Sequence, residues 1–208
     1  MIRVVKVGGS LLDLPQLPQK LRTWLAAQPP AHNVLLVGGG PLVDQVRTWN
    51  AETGIDETAA HWMCVDLLTA TAHLLHAWLP EIPLVEDDRL LCQRVGEDGA
   101  TIFGPAPWMR HAEPGLPGTW LPTDWDTTSD SIAGRLAIAL RADEFVLLKS
   151  ELPHRRAGRE LSALAAVGYI DRILAEMAPE LPPTRLVNFR TVPPRQARVP
   201  RPGESGAT

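Results

Sequence analysis

Apolar positions along this chain fall into two spacings. Ile2, Val4, Val5 and Val7 form a nearly unbroken run around Lys6, and "HNVLLV" (32–37) and "EFVLLK" (144–149) repeat the form. Short apolar runs that do not alternate are strands buried on both faces of a parallel sheet. Between them the spacing is helical: Leu14, Leu17, Leu21, Trp24 and Leu25 make one stripe closed by Pro29 and Pro30, and another helix opens near Leu42 after "GGGP". Residues 57–79 predict one long helix, and 129–140 another, capped by Ser or Asp. This alternation predicts a parallel sheet flanked by helices.

The remaining segments are less regular. "EIPLV", "RLLCQRV" and "ATIFG" predict three short strands, and Pro105 to Trp125 predicts a loop rich in Pro, Gly and Trp. "PHRRAGREL" reads as a basic loop, Tyr169 to Met177 as a helix, and "TRLVNF" as the last strand. After Arg190 the chain is poor in apolar residues and rich in Pro and Arg, which predicts a disordered tail. One domain over 1–190 and a tail over 191–208 are therefore expected.

With 208 residues, 45% of them hydrophobic, the chain can bury a sizeable core. A net charge of -4 argues against a nucleic-acid or membrane-surface protein, so the expected partner is a small solute. Cys64 and Cys92 stand in no CxxC and no metal-ligand cluster. The chain opens directly on a strand and contains no run of eighteen apolar residues, which points to the cytoplasm.

In open parallel sheets, ligands sit beyond the carboxyl ends of the strands. Gly8-Gly9-Ser10, Gly38-Gly39-Gly40 and Lys149-Ser150 all fall at such ends. Glycines let backbone amides approach a ligand, and a helix starting just after adds its positive end, so both glycine loops suit phosphate. Neither is a Walker A motif or a GxGxxG. Lys6 in a buried strand must either reach solvent or meet a negative group. His61, Trp62 and Met63 are either core or substrate contacts, and Asp124 and Asp126 could orient an amine or help hold magnesium. His73 and His76, three apart, lack an obvious partner acid for a metal, and His154, Arg155, Arg156 and Arg159 are either a solvated loop or an anion contact.

Taken together, "KVGGSLL", "LLVGGGPLVDQVR" and "TSDSIAGRLAIALRADEFVLLKS" resemble the amino acid kinase superfamily, over roughly residues 1–152. "AHWMCVDLL" and the "SDS...LLKS" form are similar to the uridylate-kinase-like branch that includes the aminomethyl-furanmethyl phosphate kinase of methanofuran biosynthesis. The resemblance implies an α/β fold, a three-layer αβα sandwich around a mainly parallel sheet, and an ATP- and Mg2+-dependent kinase acting on a small acceptor. It implies that Lys6 stabilises the transferring phosphoryl group and that Asp130 holds the lysines in place. Gly8, Gly9, Ser10, Lys149 and Ser150 then face nucleotide and phosphate, while Gly38, Gly39, Gly40, Asp44 and Ser129 face the acceptor. A homo-oligomer assembled through a helix like 57–79 is also implied. The chain departs from the family after "LLKS", where an aspartate-glycine turn and a tyrosine segment give way to "ELPHRRAGRE", shortening the nucleotide lobe. Two classes stay open: a kinase, or a catalytically reduced phosphate-binding or regulatory subunit.

Overall fold

The computed structural model describes residues 1–154 and 158–200. Its first half runs β1 (Ile2–Val7), α1 (Leu17–Ala26), β2 (His32–Val37), α2 (Pro41–Thr53), α3 (Glu57–Trp78), β3 (Leu84–Val85), α4 (Asp88–Arg94) and β4 (Gly99–Phe103). The second half runs α5 (Ala106–His111), α6 (Ser129–Ala139), β5 (Glu144–Lys149), α7 (Leu161–Ala166), α8 (Arg172–Glu176), β6 (Thr184–Asn188) and β7 (Arg195–Arg198). Seven strands form one sheet in the order β3-β4-β2-β1-β5-β6-β7, parallel throughout except for β7. The apolar strands predicted for 2–7, 32–37 and 144–149 are its three central members, buried on both faces.

Strand alternation decides what each face of the sheet meets. Val4, Phe145 and Leu147 pack with Ile132 and Leu136 of α6, whereas Val5, Val7, Val146 and Leu148 pack with Leu17 and Leu21 of α1. Helix α3 serves both sides, with Val65 and Leu68 in the first cluster and Ala72 and Leu75 in the second. The result is a helix-sheet-helix sandwich. The same period of two puts Lys6 on the face of Val4, and Lys149 on the face of Phe145 and Leu147. Since Lys6 pairs with Leu147 across the ladder, both lysines point from neighbouring strand ends toward α6.

Four local expectations are corrected. "RLLCQRV" is helix α4 rather than a strand: the Asp87 carboxylate accepts a hydrogen bond from Leu90 N at 2.9 Å and so starts a helical turn. The Pro/Gly/Trp-rich stretch contains α5, with Pro105 at its N-cap and Pro107 inside its first turn, where a missing N–H costs nothing. Helix α6 is capped by Thr128, whose Oγ1 accepts from Asp130 N, with the reciprocal bond from Thr128 N to Ser131 Oγ at 3.0 Å. The tail expected beyond residue 190 returns to the sheet: β7 pairs antiparallel with β6, and Ala197 and Val199 are buried against the core. Arg155 and Arg156 of the basic loop, and the end of the tail at 201–208, lie outside the described residues.

Candidate active site

Three elements converge at the carboxyl ends of β1, β2 and β5. The turn at Gly9–Leu11 follows β1, the 38–40 loop leads into the N-terminus of α2, and α6 begins at Ser129. The two glycine loops lie directly against each other. A Cβ on Gly9 would collide with the backbone of Gly40, one on Gly38 would lie 2.7 Å from Gly9 N, and Gly40 itself has φ +56°. The glycines thus answer first to loop-on-loop packing, which sets the amides of both loops around one floor.

Under that floor is a charge cluster. Lys6 Nζ lies 2.8 Å from Asp130 Oδ1, and Lys149 Nζ donates to Asp130 Oδ2 at 2.5 Å and to the Tyr169 carbonyl at 3.1 Å. Lys6 and Asp130 are both about 5% exposed or less. Burial would raise the Asp130 pKa, but the ammonium groups of Lys149 and Lys6 outweigh it and hold the carboxyl well below the usual range. Burial lowers the Lys6 pKa, with Lys149 acting the same way and Asp130 resisting. One carboxylate between two lysines leaves one positive charge in excess, aimed past the strand ends. With an ammonium group against each oxygen, Asp130 is placed to position the two lysines.

A second carboxyl fixes the helix that carries Asp130. Asp171 Oδ2 accepts from Thr128 Oγ1 at 2.6 Å and from Ser131 N at 3.0 Å, while its Oδ1 accepts from Leu174 N at 2.6 Å. It caps α8 and braces the start of α6 at once. Burial, and then the charge of Asp130, raise its pKa.

Two cavities open on this cluster. The first, about 280 Å³, is lined by Lys6, Gly9, Gly40, Ser129 and Lys149, with Val43, Leu68 and Trp125 on its apolar side. The second, about 560 Å³, lies between Ser150–His154 and the Val167–Tyr169 turn. Ser10 and Lys149 line both. Ser10 Oγ and Ser150 Oγ are hydrogen-bonded at 2.7 Å.

Of the residues singled out from sequence, Lys6, Gly8, Gly9, Ser10, Gly39 and Gly40 line the first cavity, as do Asp44, Ser129 and Lys149. Asp130 lies beneath them, Gly38 supports the loop contact, and Ser150 belongs to the second cavity. Asp44 stands at the exposed mouth, paired with Arg47 at 3.2 Å. His61 and Asp124 reach the first cavity. Met63 is exposed, and Trp62 packs under the Arg110 guanidinium, 4.8 Å from the ring centre. Asp126 is paired with Arg172, away from the cavity. His73 does have an acid partner, Glu86 at 2.8 Å, but no group of three or more metal-ligating side chains occurs among the described residues. Sequence reasoning missed Asp171, Tyr169 and Arg47. An Asx-type cap signal ahead of "RILAE" was the one available hint, and it marks Asp171 only as a helix start.

The fold of this chain has counterparts among solved structures. The chain is 17% identical to the uridylate kinase from Archaeoglobus fulgidus, with TM-score 0.62 over 88% of this chain and 89% of that one. It is 13% identical to the UMP kinase from Ureaplasma parvum, with TM-score 0.63 over 92% and 91%. It is also 13% identical to the UMP kinase from Bacillus anthracis, with TM-score 0.64 over 91% and 87%. This chain has the amino acid kinase fold. Neither known family models nor curated proteins give a match to it. No described helix is long and apolar enough to cross a membrane.

Proposed function

We propose that the protein is a kinase moving the terminal phosphoryl group of ATP to a small acceptor, itself a phosphate monoester such as a nucleoside monophosphate or a furanmethyl phosphate, to give a diphosphate. The observation that carries this reading is the Lys6–Asp130–Lys149 cluster, set where two cavities meet beneath two glycine loops and a helix start. The uridylate and UMP kinases of the same fold support it.

The smaller cavity takes the acceptor, with its phosphate against the Gly39-Gly40 amides and the N-terminus of α2. The larger takes the nucleotide, its phosphates running past Ser10 to Lys149. An acceptor phosphate oxygen attacks the terminal phosphorus, the bond to the bridging oxygen breaks, and ADP leaves with that electron pair. A phosphate monoester is already ionised at neutral pH, so the step needs no base from the protein. Lys6 and Lys149 supply positive charge where negative charge spreads in the transition state, and Asp130 keeps both from swinging away. Magnesium neutralises the donor phosphates when bound. The cavity assigned to the nucleotide has one lining carboxylate among the described residues, Glu151, which would suit an ion that arrives on phosphates and keeps its waters. The homo-oligomer implied by the resemblance belongs to the same proposal, and light scattering of the purified protein checks it.

The test is ADP release from magnesium ATP with uridylate or a furanmethyl phosphate as acceptor. Lys6→Ala is expected to lose about a hundredfold or more in kcat. Equal rates in both proteins would overturn the role of Lys6. Failure of the wild type to bind ATP at millimolar concentration would overturn the kinase reading in favour of a phosphate-binding or regulatory subunit.

A further inference from the structure

His61 is a buried imidazole that the phosphoryl-transfer reading leaves without a task. It stands on the first turns of α3, is 3% exposed, and lines the smaller cavity. Its Nδ1 lies 3.1 Å from the Asp124 carbonyl oxygen, which can only accept, so Nδ1 carries the proton. Nε2 is therefore a bare lone pair. That atom is buried and has no hydrogen-bond partner among the described residues. A buried acceptor left unpaired is destabilising, which points to a partner supplied from the cavity.

The imidazole is also kept neutral. Burial lowers its pKa, the Asp124 carbonyl and carboxylate act in the opposite direction, and the nearby Arg110 guanidinium adds to the lowering. The side chains around it divide the cavity into two ends. Lys6, Lys149 and the glycine amides make the end that suits an anion, while Val43, Leu68, Trp125 and Ile132 give an apolar body. His61 and Asp124 add acceptors that no phosphate would want beside it.

We infer that His61 Nε2 accepts a hydrogen bond from an N–H or O–H group on the non-phosphate part of the acceptor, making His61 a specificity-determining residue for a small phosphate ester of apolar body with a polar donor. This rests on reading the glycine-and-lysine end as the phosphate side of the cavity. The donor enters a site whose acceptor is already desolvated and fixed in tautomer, so an analogue lacking it leaves Nε2 unpaired, the situation in which binding sites discriminate most strongly.

The test is direct binding without nucleotide, by calorimetry on the full chain. The probes are benzyl phosphates carrying 4-aminomethyl, 4-hydroxymethyl or 4-ethyl groups, with orthophosphate as reference. At least one donor-bearing probe is expected to bind wild type about tenfold more tightly than the 4-ethyl probe. In His61→Phe that preference disappears while orthophosphate binding stays within twofold of wild type. A preference that survives in folded His61→Phe, or wild type that binds orthophosphate yet ranks the three esters equally, would overturn the inference. Nitrogen NMR of the wild type covers the case in which the variant does not fold. The unprotonated Nε2 signal should move with a donor-bearing probe and not with the 4-ethyl probe, and a signal that moves equally with both refutes the assignment. ADP release plays no part in these readouts, so a chain that selects donors but never turns over ATP would refute the kinase reading alone. A chain that turns over ATP without selecting donors would refute this one alone.

Discussion

At the residue scale the decisive group is Asp130, because among the described residues it alone is an anion touching the two lysines at the strand ends. Asp130→Asn keeps the shape but leaves two ammonium groups facing each other in a poorly solvated place. Breaking a buried ion pair this way costs about 3 kcal/mol, or roughly 6–12 °C in Tm for a chain of this size. Asp130→Asn/Lys149→Met should recover much of that Tm in a thermal melt while kcat stays depressed, which separates repulsion from catalysis. The acid limb follows from the lowered Asp130 pKa. The unfolded chain binds the proton first, so the stabilisation is complete above about pH 4 and drains away as pH falls toward the folded value. Urea titrations of wild type against Asp130→Asn should therefore differ most at neutral pH and converge in strong acid. Glycines give a second comparison. Gly54 ends α2 at φ +67° with open space around it, so Gly54→Ala should cost about 1 kcal/mol from backbone strain alone. Gly9→Ala must push apart two backbones, and is expected to lower Tm several times more and to abolish phosphate binding in calorimetry.

At the scale of elements, α6 is the piece that everything else holds in place. Its first turn is braced by Asp171 from across the chain. Its middle is tied by buried Arg135, which donates to Glu113 Oε1 at 2.9 Å and to the carbonyls of Pro117 and Leu116 at 2.8 Å. Asp171→Ala removes caps from α8 and α6 together, so a loss of about 2 kcal/mol is expected in denaturant titration. Because the start of α6 loosens, kcat should fall further than the acceptor KM rises. The sequence announces α6 and the three central strands clearly, since fully buried elements carry near-continuous apolar runs whose period is hard to mistake. It also singles out Lys6 and the glycine loops, a buried lysine and paired glycines at strand ends being types that a phosphate site would need, and Asp130 through the family resemblance. What it hides depends on partners far along the chain. Asp171 reads as an ordinary cap until Ser131 is beside it, and His61 reads as core until the Asp124 carbonyl fixes its tautomer. The sequence hides α4 because Leu90 and Leu91 lie side by side in a segment too short to show a period.

At the scale of the whole molecule, the sheet is closed on one side by a strand whose sequence, "RQAR", shows almost no strand character. Edge strands need only one buried face, so Ala197 and neighbouring Val199 suffice, and the flanking arginines discourage pairing with other chains. A chain ending at Arg190 should leave β6 as a bare apolar edge, with a lower Tm and aggregation visible by light scattering. The shared wall of the two cavities has a different consequence. Ser10 and Lys149 belong to both, so two ligands seated there are separated by little more than one side chain. A compound joining both occupants by a short tether would meet its second cavity at high effective concentration, and its affinity would exceed that of either half by orders of magnitude. The partition between the cavities is thus a template for ligands that span both, with tether length set by the reach of Lys149.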